Sequence, residues 1–238
     1  MLSSKPWRAE AVMMLIAGII GSIFLSGLTV GVLRKLAVAG FATPDSFGSV
    51  VVDTLSFQGA ALIFGCVFVK LHDIHWHEVL GLPRPKMGRA LLMAAGVLVI
   101  SLPLVWGLQQ VSILTLEKLG WLPETQNAVD LFLKAKSPWM RIYLGFFAVV
   151  LAPFGEEFVF RGVLFPFVKQ LGWPKLAWFG VSFLFALIHV NLPTILPLFV
   201  LALIFTWLYH KTNCLLTSIL AHSLFNAANL VLLCFLHP

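Results

Sequence analysis

Glu156 and Glu157 stand side by side in Leu-Ala-Pro-Phe-Gly-Glu-Glu-Phe-Val-Phe-Arg-Gly-Val-Leu-Phe, and Arg161 is the only other charge between Val149 and Val168. An ionisable group at membrane depth costs about 2.5–3.5 kcal/mol on insertion scales, so three so close together point to function. Adjacent carboxyls cannot both ionise cheaply, which leaves one of them usable as a general base. Glu157 and Arg161 are i,i+4 on one helix face, where an ion pair can form. Phe185 and His189 repeat that spacing, as do His222 and Asn226, with Asn229 continuing the last stripe.

These groups can reach a common depth. At ~1.5 Å per residue, Glu156 lies roughly 20 Å from the Lys169 end of its helix and His189 roughly 21 Å from Lys175. Lys169 and Lys175 flank one short turn, and His222 follows Lys211 at a somewhat shallower depth. Acid, imidazole and amide can therefore meet in one cavity. There a carboxylate aided by an imidazole can deprotonate water for attack on a peptide carbonyl. A second imidazole and an Asn amide can donate to the developing oxyanion. Arg161 can hold one glutamate ionised and leave the other free. This chemistry calls for no cofactor. The alternative is zinc held by Glu156, His189 and His222, although no His-Glu-x-x-His helix is present and a standard zincin is excluded. Each motif alone also has a plainer reading: a structural ion pair, a core histidine, an asparagine bonding a neighbouring helix.

The elements that must position these residues are membrane helices. Of 238 residues, 60% are hydrophobic and 11% charged, against about 25% charged in soluble domains. The fold class expected is all-α, a polytopic bundle of about seven transmembrane helices plus a short interfacial one. Spans are expected at Ala11–Leu33, Val50–Val69, Ala90–Leu108, Arg141–Phe167, Leu176–His189, Thr194–Leu208 and Leu216–Leu236. Pro153 should kink the fourth just before the glutamates. Thr115–Pro138, with Leu131, Phe132 and Leu133, should hold an amphipathic helix at the interface. Ala11–Leu33 is too long for a signal-peptide core and reads as a retained span. No repeat or long linker divides the chain, so residues 1–238 read as a single membrane domain with a catalytic core at 139–236.

Charge sets orientation. With a cytosolic N-terminus, that side holds Lys5, Arg8, Lys70, Arg84, Lys86, Arg89, Lys169, Lys175 and Lys211, nine in all. The other side holds Arg34, Lys35, Lys118, Lys134, Lys136 and Arg141, which is six. The net charge of +6 is scattered at helix ends, which suits membrane anchoring and not nucleic acid. Cys66, Cys214 and Cys234 are apolar packing residues. His72, His75 and His77 with Asp73 and Glu78 could bind metal, but read first as an interfacial loop, and Pro83 and Pro85 mark a turn-rich connector.

The three motifs Glu-Glu-x-x-x-Arg, Phe-x-x-x-His and His-x-x-x-Asn, in this order, resemble the CAAX protease and bacteriocin-processing family, which includes the abortive-infection type. The similarity covers about Arg141–Leu233, and Trp76-His-Glu-Val-Leu-Gly-Leu is also typical of bacterial members. The family consists of intramembrane endopeptidases whose eukaryotic members cut the last three residues from prenylated proteins. The resemblance implies that Glu156 and His189 activate water, that His222 and Asn226 stabilise the oxyanion, and that Glu157 and Arg161 support Glu156, with Phe185 part of its motif. It implies a peptide or lipidated-protein substrate, surrounding membrane lipids and a bacterial cytoplasmic membrane. The rival readings are a proton-coupled transporter using the same polar cluster, and a non-catalytic membrane scaffold.

Overall fold

The computed structural model describes residues 6–82 and 87–236, which form helices and connectors without a strand. Lys5, Pro83, Arg84, Pro85 and Lys86 lie outside the described residues. The helices are α1 (Ala9–Lys35), α2 (Phe47–Leu71), a single turn α3 (Trp76–Val79), α4 (Met87–Lys118), α5 (Asn127–Lys134), α6 (Pro138–Gln170), α7 (Leu176–Leu187), α8 (Ile195–Thr212) and α9 (Leu215–Leu236). Among the described residues, six helices (α1, α2, α4, α6, α8 and α9) are long and apolar enough to cross a membrane. They are apolar on most faces, so many large side chains, such as Phe24, Leu92 and Phe235, point outward where lipid would solvate them.

The polytopic helical bundle is as expected, but two elements differ from the sequence reading. The fifth expected span, Leu176–His189, forms only α7, which ends at Leu187. At ~1.5 Å per residue its twelve residues cover roughly 18 Å, short of a ~30 Å hydrocarbon core. The chain then turns through Ile188–Asn191, with Val190 at φ 46°. A β-branched residue in the left-handed region is strained, and here it adjoins His189. The third expected span, Ala90–Leu108, continues to Lys118 because no helix breaker follows Leu108 until Gly120, at φ 80°.

Helix α6 answers its prolines by changing register. Phe147–Leu151 and Phe158–Leu164 are π-helical, with α-helical turns before, between and after them. At Pro153, where a kink is expected, the helix shifts to π register: the Ala152 N–H reaches back to the Phe147 carbonyl. The Ala148 carbonyl is thereby left free, since its partner in the shifted register would be Pro153, which has no N–H. Pro166 does the same to the Gly162 carbonyl in α register. The buried Trp7 indole, from before α1, donates to that carbonyl at 3.1 Å.

Small residues bring α2 against this helix. A Cβ on Gly155 would sit 3.3 Å from Gln58 Cγ, and one on Gly65 would sit 2.8 Å from a Phe158 ring carbon. One core joins α1, α2 and α6 through Leu15, Ala61, Phe68 and Phe158. A second joins α4, α8 and α9 through Ala94, Leu201, Phe205 and Phe225. The short amphipathic helix expected between the third and fourth spans is α5, whose Leu131 and Phe132 pack on Val50, Met140 and Leu144. The histidine loop is structural: His72 Nδ1 donates to the Phe68 carbonyl at 2.8 Å, and its Nε2 accepts the Arg8 N–H at 2.9 Å. His75 caps α3 and stacks on His77, and Trp76 packs against Phe154 and Phe158 of α6.

Candidate active site

Neighbouring backbone positions give the two glutamates different surroundings. Glu157 is fully buried, and its Oε1 accepts Arg161 Nη1 at 2.8 Å and His222 Nδ1 at 3.0 Å. Its Oε2 accepts the Ser218 hydroxyl at 2.6 Å. Arg161 is equally enclosed: Nη2 donates to the Ala202 carbonyl at 2.9 Å and Nε faces the Thr206 hydroxyl at 3.4 Å. Its guanidinium carbon lies 4.6 Å from the centre of the Phe185 ring. A buried ion pair persists only when further hydrogen bonds support it, and here each guanidinium nitrogen and each carboxylate oxygen has a polar partner.

Glu156 is free by contrast. Its side chain keeps 12% exposure, and its Oε2 stands 3.9 Å from His222 Nε2. That is beyond direct hydrogen bonding.

Hydrogen-bond partners set both imidazole tautomers. A carboxylate only accepts, so His222 carries its proton on Nδ1, toward Glu157. His189 Nδ1 lies 2.8 Å from the Phe185 carbonyl, which also only accepts. In the neutral forms, both Nε2 atoms therefore keep a lone pair. Asn226 donates one N–H to the Ala148 carbonyl at 2.8 Å, the group orphaned by Pro153, and retains a second N–H. Asn229, one turn on, accepts the Trp106 indole at 2.9 Å and ties α9 to α4.

One cavity of about 800 Å³ is lined by Glu156, Phe185, His189, His222, Asn226 and Asn229 together. Glu157 and Arg161 lie behind its wall. The cavity also borrows Asp53 from α2, Trp106 and Gln109 from α4, Pro123–Gln126 from the connector before α5, and Asn127–Val129 from the start of α5. Non-helical backbone at membrane depth is tolerated where it borders such a cavity, and this is where the His189 turn sits. Among the described residues, no three His, Cys, Asp or Glu side chains are placed to hold a metal ion. Glu156, His189 and His222 share the cavity without forming a coordination site.

Ser218 and Thr206 complete the buried shell but were absent from the sequence reading. Ser218 had a usable signal, since it precedes His222 by one helical turn on the stripe ending at Asn226 and Asn229. Thr206 had none, because nothing in its spacing along α8 relates it to Arg161 on α6.

Residues 138–228 match the family model described as Rce1-like, type II CAAX prenyl endopeptidase Rce1-like. The motif-bearing segment is similar to the Rce1-like family. The match opens at the first residue of α6 and closes within α9, taking in every motif residue from Glu156 to Asn226. The cavity walls from α2 and α4 lie outside it. A distant relative is the UPF0177 protein YxdF of Lactococcus lactis subsp. lactis (strain IL1403), 35% identical over 78 residues. That alignment covers 32% of this chain and 42% of YxdF, so the chain spans under half of its relative's length. No solved structure matches the chain significantly.

Proposed function

We propose that the chain is an intramembrane endopeptidase that hydrolyses peptide bonds of membrane-associated, prenylated or leader-peptide substrates with a water activated by Glu156 and His189. The observation that carries this reading is the division of labour between adjacent glutamates: Glu157 is locked by Arg161, Ser218 and His222, while Glu156 alone faces the shared cavity. The Rce1-like match over the same residues supports it.

The chemistry follows from the donors and acceptors available. A water in the cavity gives one proton to the Glu156 carboxylate and hydrogen-bonds through the other to His189 Nε2, so its lone pair is left for the scissile carbonyl carbon. As the C–O bond forms, the carbonyl oxygen becomes an oxyanion. Asn226 offers its second N–H to it. His222 can donate from Nε2 only as an imidazolium, with Glu157 as counter-ion on Nδ1. Collapse breaks the C–N bond, and the proton held by Glu156 passes to the departing amine.

No step uses a metal, and we propose that none is required. The nine-to-six distribution of Lys and Arg supports a cytosolic N-terminus, and a bacterial cytoplasmic membrane is the setting we propose. Purified protein in detergent should cleave a membrane-associated peptide substrate, with or without chelator, and Glu156→Gln should not. Ion flux in liposomes without cleavage would replace this reading with the transporter.

A further inference from the structure

The cavity lies toward one end of the bundle, and chain order identifies that end. It is lined by Asp53 near the start of α2, Trp106 and Gln109 in the second half of α4, the connector before α5, and Leu233 and Leu236 at the end of α9. Among the described residues, none from the turns at the other end (72–82, 169–176 and 208–215) lines it. That other end is the one flanked by nine Lys and Arg residues and by the start of α1, the end expected in the cytosol.

We propose that the site is served from the extracytoplasmic side, and that its substrate is a segment of an exported or membrane protein exposed there, not the C-terminus of a cytosolic prenylated protein. The substrate class rests on the proteolytic reading above; the sidedness does not. Two further observations support it. The Asn191 side-chain N–H donates to the Glu124 carbonyl at 3.0 Å, so the turn carrying His189 is pinned to the connector at the far end. The charged side chains among the described lining residues are Asp53, Glu124 and Glu156, with no Lys or Arg. A chain ending in a free carboxylate finds no cation there, whereas a neutral or basic internal segment is accommodated.

Membrane-impermeant maleimide labelling tests this in intact bacterial cells. Thr125→Cys lies on the cavity side and Lys175→Cys on the opposite turn, with wild type as the blank for the three native cysteines. Lys118→Cys and Trp173→Cys form a second pair should either variant fail to accumulate as folded protein. The expected result is labelling of Thr125→Cys in intact cells and of Lys175→Cys only after permeabilisation, with the pattern reversed in inverted vesicles. The opposite pattern, or equal labelling of both positions, overturns the proposal. Labelling needs no turnover, so failure to cleave peptide from either side counts against the protease reading alone.

Discussion

His222 donates from Nδ1 to Glu157 Oε1 across 3.0 Å, joining residues 65 apart in sequence. The bond settles which imidazole nitrogen faces the cavity and gives that ring a fixed counter-charge. It also links the second glutamate to the reacting side of the site without exposing it, because the same oxygen accepts Arg161. In the proposed mechanism Glu157 therefore positions, and Glu156 reacts.

Glu157→Gln should cost stability more than Glu156→Gln. The first leaves Arg161 buried without its counter-charge, at about 3–5 kcal/mol. The second changes a side chain that keeps some contact with the cavity. Melting temperatures of the two variants in one detergent check this, and equal values would mean that the Arg161 pair is solvated.

Ser218→Ala removes a hydroxyl donor from a buried carboxylate, a contact worth about 1.5–3 kcal/mol. Lower thermal stability is expected, together with slower turnover as Glu157 and the His222 ring lose their fixed position. Ser218→Thr keeps the hydroxyl and should recover part of both. A Ser218→Ala protein indistinguishable from wild type would remove the residue from the site.

Asn226→Ala should lower turnover by roughly 10²–10³ if its second N–H meets the oxyanion. The same change strips the Ala148 carbonyl of its donor, so a stability loss of about 1–3 kcal/mol should accompany it. Substrate affinity should hold. Turnover, affinity and melting temperature measured on one preparation separate these effects, and unchanged turnover with a lower melting temperature would leave Asn226 a packing group.

Much of this arrangement is legible in the residues because it is local. The Glu157–Arg161 pair follows from helical spacing, and α5 announces itself by an amphipathic run between two apolar ones. The length of α7 was not legible, since its apolar run continues through Ile188 and only the strained turn at Val190 ends the helix. Nor was the second wall of the cavity. Asp53, Trp106 and Glu124 come from α2, α4 and a connector, and nothing in their spacing relates them to Glu156. The tautomers of His189 and His222 depend on partners that only the folded chain supplies, although Ser218 could have been found on its own stripe.

The most direct test of the mechanism is the rate of peptide cleavage by Glu156→Gln, measured beside wild type in the same detergent and with folding confirmed by melting temperature. Loss of a general base typically costs about 10²–10⁴ in rate, and a drop of that size with the fold retained is the expected result. A Glu156→Gln protein that is folded and cleaves at the wild-type rate would contradict the assignment of Glu156 as the group that takes the proton from water.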